Sequence, residues 1–557
     1  MDYGKSLQDK LLYRWECMKT TRESFEDHWR EIAEYVLPRS YRWLDEDKSK
    51  RGHKANKKIL DPTGTLSLRA MEAAFSASIT PASRPWKKLQ VRGDLKENYG
   101  VKTYLEETSD IMDSHILDSN FYQEAGKLYA MTGLFGTGAM LIEEDEDDDF
   151  ICETLPTGSY WLGIDHRRRV NQFCREIEMT AIQMQEQFGY ETLSTRMQSA
   201  IDRGQGHKEV VKVLHFIHPH EDYDEAHCMT CLPFMSVYID PTDNRKDAFL
   251  RMAGYEDFPV IVPRWKSIGD DVYGLECPGM IALPHIKELQ HIRRQAAKAL
   301  EKMVSPPTQR PEGTSRKGVD ITPGADNIVA SRGASSDGIK PLYQIQFDVQ
   351  GANAHIEDLR TQIRETFFYN LFLMVASERR SGTKAREIDE LHEEKMIILS
   401  TVYEQFSHEF LDPAVERIYN ILNRRGRLPV PPPEMAGVDF DVEYVSVMAN
   451  AMKLVGIGNM DRALAILGQT AWVDPAVLDI VNLPRFTTSY LERLGIDARV
   501  LSSPEEIKSK QDQRAEAMQQ AQVQQQATVQ ADTAKVLSDA KTDEDNALTA
   551  LLGRTVG

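Results

Sequence analysis

Two stretches of similar length, residues 284–304 and 353–374, carry apolar side chains at the same helical spacing, and a Pro/Gly-rich segment separates them. Ile286, Leu289, Ile292, Ala296, Leu300 and Met303 line one side of the first; Ile356, Leu359, Ile363, Phe367, Leu371 and Met374 line one side of the second. A helix of the first stretch's length spans about 30 Å at 1.5 Å per residue. The intervening segment, 305–350, offers only short strand candidates, "NIVAS" and "LYQIQFDV". Two matched helices joined through a small strand-rich excursion predict a long hairpin with a β tip. The opposite face of the first helix carries Lys287, His291, Arg294 and Lys298, partly neutralised by Glu301. Taken alone, such a stripe is a solvated basic face.

The rest of the chain is mixed α+β and predominantly helical. With 557 residues it is several times the usual domain size, so two to four domains or one elongated multi-part subunit is expected. The first 37 residues read as one helix, with Leu7, Leu11, Met18, Phe25, Trp29, Ile32 and Val36 on its apolar side, stopped at Leu37-Pro38. A second helix opens at Asp61-Pro62, with Asp61 as its N-cap, carries Met71, Phe75 and Ile79, and ends at "TPASRPW". Between about 137 and 266, "GAMLIEE", "VVKVLHFIH", "FMSVYI" and "FPVIVPRW" predict an α+β block. A long helix from about 386 meets Pro413, which kinks or restarts it, and Gly426 with "LPVPPP" ends it. Short helical pieces follow residue 440. The Ala/Gln-rich stretch 504–552 reads as either a disordered tail or a long helix packing against its own copies.

Catalytic signatures are absent. "YGKS" at Tyr3 to Ser6 lacks the upstream glycine of a phosphate-binding loop, and "SGTKAR" fails the same test. There is no G-x-S-x-G and no H-E-x-x-H. Gly136-x-Gly138 reads as close helix–strand packing. The cluster His215, His218, His220, His227, Cys228 and Cys231 has a single Cys pair, and ordinary strand and turn residues account for it better than zinc. "EEDEDDD" lacks the loop glycine and closing glutamate of a calcium loop and reads as a solvated acidic turn. No enzyme, cofactor or metal is therefore expected. Six cysteines in so long a chain do not form a disulfide framework, which predicts a reducing compartment. No apolar run approaches a membrane span.

A formal charge of −19 disfavours broad contact with nucleic acid. Against it stands "SERRSGTKAREIDELHEEK" (377–395), which gathers Arg379, Arg380, Lys384 and Arg386 between an apolar and an acidic helix. Three readings fit that knot: a phosphate cradle, a solvated turn, or a loop that touches a polyanion locally.

The ordered series of segments narrows the choice. "RESFEDHWREIAEYVLPRS", "DPTGTLSLRAMEAAFSASITPASRPWKKL", "NFYQEAGKLYAMTGLFGTGAMLIEE" and "FPVIVPRWKSIGDDVYGLECPG" precede the hairpin; "SGTKAREIDELHEEKMIILSTVYEQFSHEFLDPAVERIYNIL" and "GRLPVPPP" follow it. Up to about residue 500 this layout resembles the portal, or head-to-tail connector, proteins of short-tailed bacteriophages. The resemblance implies a ring of about twelve subunits at one capsid vertex, in the virion, with double-stranded DNA passing through its centre. Residues 1–283 would form N-terminal helices and an α+β wing, 284–304 a stem helix, 305–350 the clip and 351–374 the second stem helix. Residues 375–385 would be a tunnel loop, 386–440 a kinked wing helix, 441–500 the crown and 501–557 a helical barrel.

On that reading Arg379, Arg380, Lys384 and Arg386 face DNA, and Lys287, Arg294 and Lys298 face the bore or a neighbouring subunit. Arg310, Arg316, Lys317 and Arg332 would lie on the clip, where a terminase motor and later a tail adaptor dock. Major capsid and scaffolding proteins are the remaining implied partners, with no membrane. Two other readings stay open: a capsid or tail ring that does not conduct DNA, and an enzyme acting on nucleic acid.

Overall fold

The apolar spacing of the N-terminal stretch becomes a single helix, α1 (Leu7–Val36), in the computed structural model. The structure describes residues 7–44, 58–91, 98–220, 232–243, 245, 248–311, 320, 322–329, 340–342, 347–369, 400–435 and 440–445, with helical positions at 513, 520, 523 and 527–529. The chain divides into two units, Met1–Val455 and Gly456–Gly557, and those last few positions are all that is described of the second.

Along α1 the apolar side serves two cores. Leu11 and Met18 pack with Trp161, Leu214 and Phe216, whereas Trp29, Ile32 and Val36 enter the main core. Arg22 fixes the crossing: buried, it donates to the carbonyls of Gly158 (3.1 Å) and Tyr160 (2.7 Å), pairs with Glu26 and lies over the Trp161 ring. The chain then forms α2 (Thr63–Ser78), β1 (Lys87–Gln90), α3 (Tyr99–Asp118) and α4 (Phe121–Phe135). Met71, Phe75 and Ile79 are buried as their spacing requires. Phe75 meets Tyr129 of α4 edge-on at 5.7 Å.

At the end of α4, Gly136 takes a left-handed conformation (φ 85°), and a Cβ there would stand 2.1 Å from the Gly274 carbonyl oxygen. No other residue supplies both the dihedral and the space. A Cβ at Gly138 would stand 2.6 Å from Thr132 Oγ1 and 2.7 Å from Leu128 Cδ1, so the Gly-x-Gly pair marks close helix–strand packing.

Eight strands and two helices follow: β2 (Ala139–Asp145), β3 (Asp149–Leu155), β4 (Tyr160–Ile164), β5 (Val170–Thr180), α5 (Ala181–Phe188), α6 (Thr195–Asp202), β6 (Val210–Pro219), β7 (Phe234–Ile239), β8 (Phe249–Tyr255) and β9 (Val260–Ile261). β4 to β8 form an antiparallel five-stranded meander in chain order, and β3-β2-β9 form a second sheet. Residues of α5 and α6, with Val211, Val213 and Tyr238, form a separate small core.

The hairpin comes next: α7 (Pro278–Val304), then β10 (Thr308–Pro311), β11 (Asp326–Val329) and β12 (Lys340–Pro341), and back along α8 (Val349–Thr366). β10 pairs with β11 in parallel and with β12 antiparallel, so the tip is a three-stranded sheet. Three details differ from the sequence reading. α7 starts before 284, because Pro278 occupies the first turn and the helix carries on through Pro284. "LYQIQFDV" is not one strand: β12 ends at Pro341, Asp348 caps α8 by accepting from Gln350 and Gly351, and 343–346 lie outside the described residues. α8 ends at Thr366, since Phe368 adopts φ 58°, which a helix cannot contain; residue 369 is helical again, and the rest of the stretch to 374 lies outside the described residues. Residues 370–399 lie outside the described residues.

A helix at 400–406 runs into a π-helical turn, Ser407–Leu411, and then α9 (Asp412–Arg424). Pro413 explains the turn. It lacks an N–H, and its ring crowds the carbonyl of residue 409, so the helix widens by one residue instead of breaking. After α9, β13 (Asp441–Tyr444) pairs antiparallel with β1, Lys87 opposite Tyr444 and Gln90 opposite Asp441. The chain from 441, read from sequence as the start of a crown, thus opens with a strand of the body; 446–500 lie outside the described residues.

Candidate functional site

The hairpin root is held by a polar clamp around one buried carboxylate. Gln290 of α7, 3% exposed, accepts from the amides of Leu60 (2.7 Å) and Asp61 (2.8 Å) and donates to the Asp61 carbonyl (2.8 Å). The Asp61 carboxylate accepts from the Thr63 amide (3.1 Å) and hydroxyl (2.5 Å) and from Arg360 of α8 (2.6 and 3.1 Å), with Arg293 at 3.6 Å. Burial pushes its pKa up, but the bonds from Thr63 and Arg360 outweigh that and hold it below the ordinary carboxylate value. Asp61 therefore does more than cap a helix: Pro62 is the N-cap of α2, and Asp61 ties α2 to both arms of the hairpin. His355 on α8 and Glu288 on α7 add a contact at 3.2 Å.

Apolar packing changes along α7. Ile286 and Leu289 are buried and Ile292 packs against the main core, but Leu300 (42% exposed), Met303 (43%) and Val304 (83%) are open. The root is embedded and the far half projects from the body of its own subunit.

The sequence-derived basic stripe divides in the same way. Lys287 is engaged by Glu31 of α1, and that hydrogen bond raises its pKa. Arg294 and Lys298 are exposed on the projecting half and make no ion pair among the described residues. Arg310 lies in β10 opposite Ile328, at the tip. Arg316, Lys317 and Arg332, and the loop residues Arg379, Arg380, Lys384 and Arg386, lie outside the described residues.

The described members of two alternative clusters take structural roles. His215 is fully buried in β6, stacked on Tyr238 at 3.9 Å. Its Nδ1 accepts from Arg175 Nε (3.1 Å), which leaves the proton on Nε2 for Ser236 Oγ (2.9 Å). Burial, with Arg175 and Arg251 nearby, drives its pKa well below the usual value. His218 Nδ1 lies 2.8 Å from the Pro219 carbonyl. His227, Cys228 and Cys231 lie outside the described residues. In the acidic turn, Asp145 accepts from the amides of Asp147 and Asp148, and Asp149 pairs with His115, Arg425 and Arg427.

Among the described residues no group of three or more His, Cys, Asp or Glu could hold a metal ion, and no helix is long and apolar enough to cross a membrane. Cys17, Cys152, Cys174 and Cys277 are free thiols, and burial pushes the Cys277 thiol up to about 12. What the site offers chemically is a rigid root and a projecting, cationic, solvent-facing helix half.

Sequence reasoning missed Gln290, Arg360 and the reach of Asp61. "DP" signalled a helix start, but nothing in the spacing announced a partner 299 positions away.

Residues 8–501 match the family model "Bacteriophage head to tail connecting protein". The chain is 35% identical over 541 residues to the "Probable portal protein" of Bordetella phage BPP-1, covering 97% of each. It is 32% identical over 546 residues to the "Portal protein" of Salmonella phage epsilon15, covering 98% of each. A solved structure described as the neck of an empty GTA particle computed with C6 symmetry aligns at 11% identity, covering 73% of this chain and 86% of that one. Its TM-score of 0.29 is too low to bear on the fold.

Proposed function

The chain belongs to the bacteriophage head-to-tail connecting (portal) protein family, and from that premise we propose that its copies close into a ring of about twelve subunits through which double-stranded DNA is packaged and ejected. As a portal protein it is a structural component of the virion portal vertex, not an enzyme. The observation that carries the reading is a match to portal proteins over nearly the whole length of both chains. The hairpin with a β tip is consistent with it.

In this assignment α7 and α8 are the stem, 305–350 the clip that meets a terminase motor and then a tail adaptor, and 375–385 the tunnel loop. Residues 1–283 and 386–440 build the wing, the chain beyond β13 the crown, and 501–557 a barrel in which copies supply one another's packing surface. Capsid and scaffolding proteins surround the ring.

Charge gives the conduit its physical logic. Each phosphate that a protein neutralises releases counterions, and about six to ten such contacts change affinity by ~10³–10⁵ across a modest salt range. A fully basic bore would grip the duplex. A subunit with a formal charge of −19 does not, and a local ring of Arg379, Arg380 and Lys384 touches phosphates without reading sequence. Arg294 and Lys298, unpaired within the described subunit, face either the bore or an acidic neighbour.

Electron microscopy of the purified full chain tests the ring: class averages of about twelve subunits around a duplex-wide hole are expected. Persistent monomers at high concentration would remove the conduit reading. Particles carrying Arg379→Ala with Arg380→Ala should package or retain DNA less well than the parent. Equal full-length packaging and retention would deny the loop that role.

A further inference from the structure

One row of side chains crosses the five-stranded sheet: Tyr160, Arg175, His215, Tyr238 and Arg251 stand opposite one another from β4 to β8. At its β8 end the row opens into a cleft of about 490 Å³ between the sheet, β2, α5 and α9. Arg417 of α9 lines this cleft. Its side chain is 2% exposed, and none of its three guanidinium nitrogens has a hydrogen-bond partner among the described residues. The Asp257 carboxylate forms an ion pair with Nη1 at 3.5 Å but no hydrogen bond, and Tyr255 lies beneath the guanidinium at 5.5 Å. Arg251, exposed on the opposite wall, makes no hydrogen bond or ion pair among the described residues.

The carboxylates around the cleft are already engaged. Glu143 accepts from the Tyr255 hydroxyl (2.9 Å), Glu144 and Glu256 accept from Arg424 (2.7 and 2.9 Å), and Asp257 accepts from Asn420 (3.0 Å). Arg417, by contrast, has three donor nitrogens with no hydrogen-bond acceptor among the described residues. A buried guanidinium has only donors to offer, and leaving them unmet is costly. The missing partner must bring acceptors, and one that brings charge gains most.

We infer that this cleft is a binding site for one compact oxyanion, anchored by Arg417 and closed over by Arg251. The glutamates around the cleft oppose any anion in proportion to its charge, which favours one compact ion held by Arg417 and Arg251 over an extended DNA backbone. Two sources supply the same chemistry: inorganic phosphate from solution, or a carboxylate side chain of a second copy of the chain. The second source rests on the ring reading above; the first does not.

The test uses the full-length protein, as parent, Arg417→Met and Arg251→Gln. Melting is followed while sodium phosphate replaces sodium chloride at constant ionic strength, and ring content is counted by mass photometry at fixed protein concentration. For a solution anion, phosphate raises the parent's melting temperature, Arg251→Gln needs about tenfold more phosphate for the same rise, and Arg417→Met does not respond. For a second-copy carboxylate, phosphate gives no rise, and Arg251→Gln weakens ring association about tenfold. If Arg251→Gln, with parental circular dichroism, changes neither readout, the site does not exist. Should the parent form no rings, no neighbouring carboxylate fills the cleft, so phosphate should raise the melting temperature whichever source serves in the ring, and no response overturns the proposal.

Discussion

Replacing Asp61 by Asn keeps the shape of the side chain and removes the charge on which the hairpin root converges. The carboxylate is fully buried and accepts from Thr63 and from two nitrogens of Arg360. Breaking a buried ion pair by removing one partner costs about 3–5 kcal/mol when the other charge is stranded. Arg360 is not stranded, because its side chain is 24% exposed and Glu357 holds its other Nη. Asn can still accept from Thr63. The loss is therefore nearer that of one or two charge-assisted hydrogen bonds, about 2–3 kcal/mol. Hydrogen exchange followed by mass spectrometry reads it locally. Amides in peptides covering 58–66 and 283–293 should exchange about 30- to 140-fold faster, while those of the β4–β8 sheet stay unchanged. Arg360→Met should raise exchange at the same peptides, and the double variant should cost less than the sum of the two. Additive effects, or exchange within about threefold of the parent, would refute the clamp as the element that holds the hairpin to α2.

The same carboxylate sets a pH dependence. Its folded pKa is depressed, so its stabilisation is complete above the unfolded value near 3.8 and is lost as pH falls through the lower folded value. The exchange difference between parent and Asp61→Asn should be constant from about pH 7 to about pH 5 and shrink below about pH 4. Glu409 in the π turn accepts from the Arg264 amide (2.8 Å) and guanidinium, and Arg264 keeps a bond to the Arg168 carbonyl. Glu409→Gln should therefore cost about 2–3 kcal/mol, seen as a lower urea midpoint. Gly136→Ala would place a methyl on the Gly274 carbonyl and should yield little soluble protein. Gly204→Ala, also at positive φ (68°) but with open space around it, should cost only about 1–2 kcal/mol in a thermal melt.

Periodicity is a local property, and what rests on it was legible in the sequence. The buried side of α1, the buried Met71, Phe75 and Ile79, the strands β2, β6, β7 and β9 and the hairpin with its β tip all follow from the spacing of apolar residues and from Pro and Gly placed between them, whereas β4, β5 and β8 of the meander were not anticipated. Helix interruptions were harder, because proline has two outcomes that the sequence does not separate. Pro413 widened its helix into a π turn, whose Glu409 binds Arg264. Pro284 was absorbed into α7, where buried Ala282, Leu283 and Ile286 hold the helix on either side.

Contacts between distant segments could not be read at all. β1 finds β13, Gln290 finds the backbone of Leu60 and Asp61, and Arg360 finds the Asp61 carboxylate. Each is a hydrogen-bonding group satisfied by a partner hundreds of positions away, and the sequence records the group without recording the partner. The donors of Arg417 are the same problem in reverse: an arginine on a helix is unremarked in sequence, and only the folded chain shows it buried with no hydrogen-bond acceptor among the described residues. The sequence alone determined which segments are helix or strand and which faces must be covered. The tertiary structure decided which polar groups meet, because that depends on where the covered faces bring the chain together.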